Sequence, residues 1–544
     1  MGRLGFNLNI KSKDTKVHCI ALDEGHRMCL NYCRPTDIHF INDVKAIRTI
    51  TNYANDAKIY TSSWYLQRYV EPHWKILERD RLPPYDVFVI SSYYYNTSKS
   101  LGDHSIALVL TGPHDYADNL RQISILSWNG TDSLYSTVDI ESITPHKVCL
   151  WISMLVTAPV LPNLKHLAII QGERTSQIPF TTPNYMRREV VTCIAPLFAN
   201  EQWQFFLFAV HTYRRYGSFM HLYVRSMVEP VYRLVLEYEK LGYLQLQPWL
   251  KVHLSRIDPS HNLFNPNVNI EFRNQAAAQT DCLLQYKESA QFIAFMDLDD
   301  VLIPRIGSTY LEEFNKLFNQ SPHIGYIFYD KQNVNVRIQR SPEKFSLKQM
   351  FTSISFTDVS ETGKMITRPE FINSTWIHWP AKVAEDRIRY NVPPEMNVIT
   401  HLKHFHYESQ PTIEDIEAPR YNITPKNTNE NLLSRSAIAG MQEELEIMFT
   451  LPAIKRILKR LPMKWFYFDI ILECYTRIFY RFHYSGNHAA MKCPGPDRCS
   501  LPKHSNISCA NAHASYYSAS RPGTLVNFHY WKDARFMVEE DCVS

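Results

Sequence analysis

Three acidic residues stand directly behind an apolar run in the middle of the chain, and their types and spacing suit metal chemistry. Residues 292–296 are apolar, and Asp297, Asp299 and Asp300 follow them at once. A short apolar run is typical of a buried strand of a parallel sheet, and such sheets bind ligands beyond the carboxyl ends of their strands. On an extended chain, residues two apart face the same side, so Asp297 and Asp299 together can hold a hard divalent cation whose other positions a diphosphate fills. The alternative is a solvated acidic loop or the start of a helix.

The elements that must position these acids are strands and helices in regular alternation. The pattern predicts strands at 190–195, 221–225 and 243–249, helices at 201–216, 230–240 and 274–290, and then the acidic strand. Alternation of this kind indicates a parallel sheet with crossover helices. The acids therefore fall at the end of its fourth strand, in an α/β fold of the nucleotide-binding type.

The rest of the chain divides by composition into further regions. Short apolar runs broken by turn residues, with a hairpin signal at Asn129-Gly130, predict a small β domain over 84–182. Before it, residues 1–80 are polar and mixed, and we interpret them as a poorly structured stem. We expect the α/β domain to span 185–425, a helical region to span 430–482, and a cysteine-bearing loop to form the tail from 485 to 544.

Charge and cysteine usage narrow the class of protein. The net charge of +4 is too small to indicate a nucleic-acid partner. Four of the eleven cysteines crowd the tail, at Cys493, Cys499, Cys509 and Cys542, which predicts at least one disulfide there and an oxidising compartment. Cys193 and Cys282 fall in a predicted strand and helix, as buried thiols or as a pair. N-glycosylation sequons, among them those at Asn96, Asn129, Asn373, Asn422 and Asn506, agree with secretion.

No targeting segment accompanies these luminal features. Residues 1–30 contain no apolar core of the length that a signal peptide needs. The longest uncharged run, 148–164, is interrupted by Pro159 and Pro162 and is typical of strands, not of a membrane span.

Several stretches in order resemble glycosyltransferase family 92, and together they cover roughly residues 190–410. The stretches are CIAPLFANEQWQFFLFAVHTYRRYG (193–217), HLYVRSMVEPVYRLVLEYEKLGYLQLQPW (221–249), RNQAAAQTDCLLQYKESAQFIAFMDLDDVLIPR (273–305), GKMITRPEFINSTWIHWP (363–380) and LKHFHY (402–407). The resemblance implies a GT-A-like nucleotide-sugar-binding core with a mainly parallel sheet. It also implies metal-dependent, inverting transfer of a sugar, often galactose from UDP-galactose, onto a glycan acceptor. Members are usually Golgi membrane proteins of type II, so the resemblance implies membrane association and a Golgi location.

The resemblance and the residue types together nominate ligands for the cofactor and the donor. Asp297 and Asp299 match the DxD motif that holds Mn²⁺ against the donor diphosphate, and His404 is a candidate third ligand. Arg273, just before a predicted helix, and Arg225, at a strand end, are candidate contacts for the UDP-sugar, with surface arginines as the alternative. Asp300 either contacts the donor ribose or caps the following turn.

The acceptor and the general base are less determined. His378 and Trp379 are candidates to line the acceptor sugar, and core packing explains them equally well. An inverting transferase needs a base for the acceptor hydroxyl, and the pattern does not rank the candidates. These are Asp330, Glu361, Glu370, Glu385 and Asp386.

Two other functions compete. The string Asp297-Leu298-Asp299-Asp300-Val301 also fits the first motif of haloacid dehalogenase-type phosphohydrolases. Those enzymes carry it on an early strand and need a later acidic motif, whereas three strand–helix units precede it here and no adjacent aspartates follow. An inactive sugar-binding relative is the other alternative, because the family tends to have His-Tyr-Arg where this chain has His404-Phe405-His406.

Overall fold

The computed structural model describes residues 85–544, apart from 115–122, 146–147, 173, 255–264, 409–432, 505 and 520–525. Before residue 85 it describes four short strands, which pair in the order β3-β1-β2-β4: β1 (Cys19–Asp23), β2 (His26–Cys29), β3 (Ile38–Phe40) and β4 (Tyr60–Thr61). The other residues of the predicted stem lie outside the described part of the chain. Residues 1–82 and 259–264 form one compact unit, and residues 83–258 and 265–544 form a second.

The second unit contains twenty strands and nine helices among its described residues. The strands are β5 (Tyr85–Tyr95), β6 (Ser105–Pro113), β7 (Ser124–Trp128), β8 (Ser133–Thr137), β9 (Asp139–Ser142), β10 (Trp151–Pro159), β11 (His166–Gln171), β12 (Arg174–Ile178), β13 (Arg188–Leu197), β14 (Ser218–Val224), β15 (Ser226–Val228), β16 (Leu244–Pro248), β17 (Ala290–Met296), β18 (Asp300–Leu302), β19 (Ile324–Gln339), β20 (Ser355–Thr367), β21 (Ile388–Asn391), β22 (Ile399–Glu408), β23 (Ser508–Ser518) and β24 (Val526–Glu540). The helices are α1 (Trp203–Arg215), α2 (Glu229–Lys240), α3 (Gln275–Tyr286), α4 (Tyr310–Phe318), α5 (Leu347–Thr352), α6 (Arg435–Thr450), α7 (Pro452–Leu458), α8 (Tyr467–Tyr475) and α9 (Arg481–Tyr484).

A nine-stranded sheet carries the acidic residues, and its first half follows the predicted alternation. Strands β16, β14, β13 and β17 are neighbours in that order and pair in parallel, with α1, α2 and α3 in the connections between them. Strand β17 packs on both faces because its side chains alternate. Phe292, Ala294 and Met296 join one apolar core, and Ile293 and Phe295 join another. This explains why the strand is an unbroken apolar run.

The second half of the sheet is mixed, so the expectation of a mainly parallel sheet holds for only part of it. Strand β20 pairs antiparallel with both β17 and β19, and β18 pairs antiparallel with β22. Strand β22 runs parallel to β19, with a register shift between Asn333 and Asn335. Only the short helices α4 and α5 lie between the strands of this half, so the regular strand–helix alternation is lost and the sequence pattern carried no signal for it.

The predicted β domain forms two further sheets. Strands β12, β11, β7 and β8 make an antiparallel sheet that includes the predicted hairpin at Asn129-Gly130. The second sheet, in the order β15-β23-β24-β5-β6-β10-β9, also takes in two strands of the tail. The expectation that the tail is loop is therefore wrong over β23 and β24, which pair with each other and also with β15 and β5 from distant parts of the chain.

Four disulfides join distant segments of the second unit: Cys149–Cys493, Cys193–Cys282, Cys474–Cys499 and Cys509–Cys542. The last lies within the tail and confirms the prediction of a tail disulfide, while Cys193 and Cys282 prove to be a pair. Among the described helices, none is long and apolar enough to cross a membrane.

Candidate active site

An open cleft of about 1190 Å³ lies beyond the carboxyl ends of β13 and β17. One side is formed by the end of β13 and the residues before α3, and the acidic turn forms the floor. The other side is formed by β20, β22 and the helices α8 and α9. Asp297 and Asp299 both line the cleft, as expected of acids at the carboxyl edge of a parallel strand.

The acidic residues occupy a turn and not an extended strand. The backbone N–H of Asp300 donates to the carbonyl of Asp297 at 3.2 Å, and β18 begins at Asp300. The expectation that Asp297 and Asp299 share a face assumed an extended chain. Because the chain turns at 298–299, Asp299 and Asp300 are brought together instead, and Asp297 takes a different partner.

Asp299, Asp300 and His401 form a group that could hold a metal ion. One ligand atom from each residue lies within 4.8 Å of the others, and this group does not include Asp297 or His404. Asp300 and His401 face each other across the antiparallel pair of β18 and β22. The Nε2 of His401 lies 3.5 Å from Asp299 Oδ2 and 4.0 Å from Asp300 Oδ1. Carboxylate oxygens with one imidazole nitrogen make a donor set that suits Mn²⁺.

The protonation of His401 also fits a metal ligand. Its Nδ1 lies 2.7 Å from Asn333 Oδ1, and Asn333 Nδ2 donates to Glu361 Oε1 at 3.1 Å. Because a carboxylate only accepts, this fixes the orientation of the Asn333 amide, and its oxygen accepts the Nδ1–H of His401. The lone pair of His401 Nε2 is then directed to the aspartates.

Asp300 supplies a second sign that the site suits a cation. Its side chain is fully buried, and among the described residues its Oδ1 receives no hydrogen bond. Burial raises the pKa of Asp300, although Lys331 and His401 oppose this effect. A buried carboxylate oxygen that lacks a donor is costly, and a bound cation would satisfy it.

Two buried lysines balance the charge of the acidic turn. The Nζ of Lys364 lies 2.8 Å from Asp297 Oδ2, and the Nζ of Lys331 lies 3.5 Å from Asp300 Oδ1. Burial raises the pKa of Asp297, but the charges of Lys364 and Lys331 together lower it by more than burial raises it. The pKa of Asp297 therefore falls well below its ordinary range. Asp297 is therefore ionised in the folded chain, and its negative charge suits a site that takes a cation with a diphosphate.

Of the five candidate bases, Glu361 is the one that lines the cleft. Its carboxylate lies 3.2 Å from Lys403, 3.9 Å from Lys331 and 3.9 Å from His401 Nδ1. Burial raises the pKa of Glu361, and the two lysines lower it below its ordinary value, so it is ionised at neutral pH. The other four candidates, Asp330, Glu370, Glu385 and Asp386, are not among the residues that line the cleft.

The two predicted arginine contacts lie in different surroundings. Arg273 lines the cleft, where its guanidinium covers the Phe198 ring at 4.4 Å and its Nε donates to Pro196 O at 2.7 Å. It is the middle residue of three with positive φ, at Phe272, Arg273 and Asn274, immediately before α3. Consecutive residues in this strained region are found mainly at functional sites.

Arg225 is buried and does not line the cleft. Its guanidinium donates to the main-chain oxygens of Leu250 at 3.1 Å and Ser544 at 3.3 Å. Burial lowers the pKa of Arg225 to about 10. These contacts tie the end of β14 to the tail, so the structure places Arg225 in a packing position and not beside a donor.

Of the remaining predicted residues, His404 and His378 line the cleft and Trp379 does not. His404 lines the cleft on β22 but is exposed and lies three positions beyond His401. His378 also lines the cleft, and its Nδ1 contacts the carbonyl of Gly363 at 2.9 Å. Burial, followed by the charge of Lys364, lowers the pKa of His378 to about 3, so this ring is neutral. Trp379 packs against Trp376 at 4.8 Å and does not itself line the cleft.

Several cleft residues were missed by the sequence reasoning. Gln275, which opens α3, donates to Asp297 Oδ1 at 2.9 Å. His401, Lys331 and Lys364 come from the mixed half of the sheet, and no local motif marks them. The aromatic residues of α8 and α9 fall in or beside the predicted helical region 430–482, and no pattern there marks them as cleft residues. The signal for His401, Lys331 and Lys364 is a polar residue within a strand, and it becomes informative only once the pairing of β19, β20 and β22 is known.

Comparisons with known proteins show which family of proteins the sequence matches. The family model "Glycosyltransferase family 92" matches residues 188–449. The Caenorhabditis elegans glycosyltransferase family 92 protein F13G3.3 is 38% identical over 460 residues, covering 84% of this chain and 90% of that protein. A second, C33H5.2, is 39% identical over 467 residues, with the same shares covered.

Two weaker similarities complete the comparison. The C. elegans beta-1,4-galactosyltransferase galt-1 is 24% identical over 216 residues, covering 38% of this chain and 46% of that protein. The crystal structure of S. aureus TarS 1-349 superimposes with a TM-score of 0.22 and 10% identity, covering 48% of this chain and 72% of that one. A superposition at this score says nothing further about the chain.

Proposed function

The chain belongs to glycosyltransferase family 92 and is a glycosyltransferase; from this premise we propose that it is metal-dependent and inverting, and that it moves galactose from UDP-galactose onto a glycan acceptor. The observation that carries the proposal is the group formed by Asp299, Asp300 and His401, in which Asp299 and His401 line the cleft and Asp300 is fully buried. Its donor atoms suit a divalent cation, and the cleft beside it is large enough for a nucleotide sugar.

The residues of this chain have distinct tasks in the proposed reaction. Asp299, Asp300 and His401 would hold Mn²⁺, which supplies charge stabilisation to the departing diphosphate. Gln275 and Lys364 hold Asp297, and Arg273 with the N-terminus of α3 offers positive charge to the phosphates on the opposite side of the cleft. Such positioned charges favour a transition state in which the leaving group gains negative charge.

Glu361 is the proposed general base. An inverting transfer needs a carboxylate that takes the proton of the acceptor hydroxyl as the new bond forms. Glu361 is ionised, lines the cleft and lies 3.9 Å from the ring of His401, which places it beside the proposed metal group. Its ion pairs with Lys331 and Lys403 orient the carboxylate.

The fold, the donor sugar and the location of the protein are each supported by a separate observation. The four parallel strands with the acids at the end of the fourth support a GT-A-like fold. Galactose is supported by the resemblance of the sequence stretches and by the name of galt-1. The described disulfides and the sequons support the lumen of the secretory pathway, and we propose a Golgi location with membrane association. The phosphohydrolase alternative is set aside, because the family shown is one of glycosyltransferases.

The experiment is a donor screen with the purified chain. Nucleoside diphosphate release and transfer to an oligosaccharide mixture are measured with UDP-galactose, UDP-glucose and UDP-N-acetylglucosamine, with Mn²⁺ and with chelator. We expect turnover with UDP-galactose that requires Mn²⁺, inverts the anomeric centre and is lost in Asp299→Asn. Asp533→Asn, an exposed change on β24, serves as the matched control. Undiminished turnover in chelator, or in Asp299→Asn, would contradict the metal assignment.

A further inference from the structure

The C-terminal helical segment forms one wall of the cleft although it lies beyond the residues that the family model matches. That match ends at residue 449, and the wall is built by α8, α9 and the turn that joins them. Its aromatic and apolar side chains in the cleft include Leu472, Tyr475, Phe479, Tyr480, His483 and Tyr484.

A π-helical turn at Thr476–Tyr480 arranges these rings. π turns within helices occur frequently at functional sites, because the added residue rotates the side chains that follow. After this turn, Phe479 and His483 stack at 5.5 Å with an interplanar angle of 12°, and Tyr480 and Tyr484 stack at 6.1 Å with an angle of 18°. The planes of the two pairs are steeply inclined to each other, at 81° between Phe479 and Tyr480 and 66° between His483 and Tyr484, so each pair presents its own aromatic face.

The two ends of this aromatic wall differ in exposure. Tyr475 is 4% exposed and packs beside Phe198 at 6.2 Å, close to Arg273, so no face of its ring is open to a ligand. Tyr484 is 62% exposed, and its face is open to the cleft. A large exposed aromatic ring inside a concave polar site is typical of a ligand contact.

The exposed tyrosine, Tyr484, lies on the same side of the cleft as Glu361, the proposed general base. Tyr484, Glu361 and Lys403 all line the cleft, whereas Arg273 and the buried Tyr475 lie at the end of β13. Burial raises the pKa of the Tyr484 hydroxyl, and the charge of Glu361 raises it further, which agrees with a position near the proposed base. A ring stacked on Tyr484 would have its hydroxyl groups beside Glu361 and Lys403, which lie 3.2 Å apart.

The wall is also held rigidly. The Cys474–Cys499 disulfide anchors α8. At the start of α8, the Glu201 carboxylate accepts the backbone N–H groups of Phe466, Tyr467 and Phe468 at 2.7 to 2.9 Å. A preformed aromatic surface binds a ligand without losing side-chain freedom, which favours affinity.

We infer that Tyr484, with Tyr480 stacked behind it, is the stacking platform for a pyranose ring of the acceptor glycan, an inference that rests on the proposed function. One face of a pyranose ring carries mainly C–H groups and fits a flat aromatic face, while its rim of hydroxyl groups requires hydrogen bonds. Tyr484 supplies the face, and Glu361 with Lys403 supplies the hydrogen bonds. The nucleotide, in contrast, belongs at the β13 end, beside Arg273.

The test measures sugar binding directly by saturation-transfer NMR on the full chain. The probes are methyl β-glycosides of glucose, galactose, mannose, N-acetylglucosamine and xylose, each at millimolar concentration, with uridine diphosphate as a separate probe. We expect transfer to the ring C–H protons of at least one glycoside, and about fivefold weaker binding in Tyr484→Ala, the scale of one lost stacking contact. Tyr484→Phe keeps the aromatic face and should recover most of the binding.

A matched control and the donor screen make each outcome decisive. Tyr135, a 66% exposed tyrosine on β8, provides the control Tyr135→Ala, which should bind glycosides as the parent does. No glycoside transfer in the parent, unchanged transfer in Tyr484→Ala, or loss confined to uridine diphosphate would each overturn the platform. Failure of the proposed function shows elsewhere: the parent would bind glycosides but release no nucleoside diphosphate from any UDP-sugar.

Discussion

The Nδ1 of His401 lies 2.7 Å from the Oδ1 of Asn333, and this hydrogen bond directs the other ring nitrogen to Asp299 and Asp300. Asn333 is held in turn by Glu361, so one amide links the proposed metal group to the proposed base. Partners of this kind orient metal ligands and tune their basicity.

Asn333→Ala should weaken Mn²⁺ binding without removing a ligand. We expect about 10–100-fold lower affinity, since the tautomer and the ring orientation of His401 are no longer held. The measurement is the Mn²⁺ concentration that gives half of the thermal stabilisation seen with UDP present. Asn319→Ala, at the exposed end of α4, is the matched control. An unchanged midpoint in Asn333→Ala would count against His401 as a ligand.

Two histidines on one strand give a direct test of the ligand set. His401 lies with the aspartates, whereas His404 is exposed three residues further along β22. We expect His401→Ala to lose the stabilisation that Mn²⁺ with UDP gives the parent, and His404→Ala to retain it. Calorimetric unfolding with and without Mn²⁺ decides between them. The opposite result would restore the ligand that the sequence resemblance implies.

Asp297 and Asp300 should differ in the kind of damage that their loss causes. Asp297→Asn deprives the fully buried Lys364 of its closest carboxylate, so we expect the free energy of unfolding to fall by roughly 2 kcal/mol, less than for a fully buried pair because Asp297 is partly exposed. Asp300→Asn removes a member of the metal group, so Mn²⁺-induced stabilisation should be lost.

Denaturant unfolding of both variants, without metal and with Mn²⁺ plus UDP, separates these effects. Relief of repulsion among the three acids would instead make metal-free Asp297→Asn as stable as the parent or more so. That result would show that the ion pair with Lys364 contributes little.

The pH dependence of stability should contain a contribution from Glu201, which is 2% exposed. Burial raises the pKa of Glu201 from 4.5 to about 7, against the opposing effect of the three N–H groups at the start of α8. Between these values the folded chain keeps a proton that the unfolded chain has released, so stability falls as pH rises from about 4.5 to about 7 and is level beyond.

Glu201→Gln should remove this slope, which amounts to a few kcal/mol at most. The quantity to follow is the difference in unfolding free energy between parent and variant from acidic to neutral pH. The control is Glu473→Gln, an exposed change on α8, the helix whose first N–H groups Glu201 accepts. A difference that stays constant across this range would mean that Glu201 is ionised throughout.

The first half of the catalytic domain could be predicted from the sequence because its signals are local. Alternating apolar patterns located β13, α1, β14, α2, β16, α3 and β17 to within a few residues. The acids at the end of β17 follow from the same pattern, since a parallel strand places its carboxyl end at a ligand-binding edge. The pairing of cysteines within the tail was predictable in kind from the crowding of four thiols, although Cys493 pairs with Cys149 and Cys499 with Cys474, both of which precede the tail.

Only the tertiary structure decided which residues meet at the acids. The turn at 298–299 brings the carboxylates of Asp299 and Asp300 into one group, and no periodicity reveals a two-residue turn after a strand. His401 takes its place because β18 pairs with β22, and a register shift in the β19–β22 ladder near Asn333 helps to determine which side chains face the acids. Lys331, Lys364 and the rings of α8 and α9 arrive from segments separated from the acids by tens to hundreds of residues, so their approach depends on strand pairing and packing, which a local pattern does not encode.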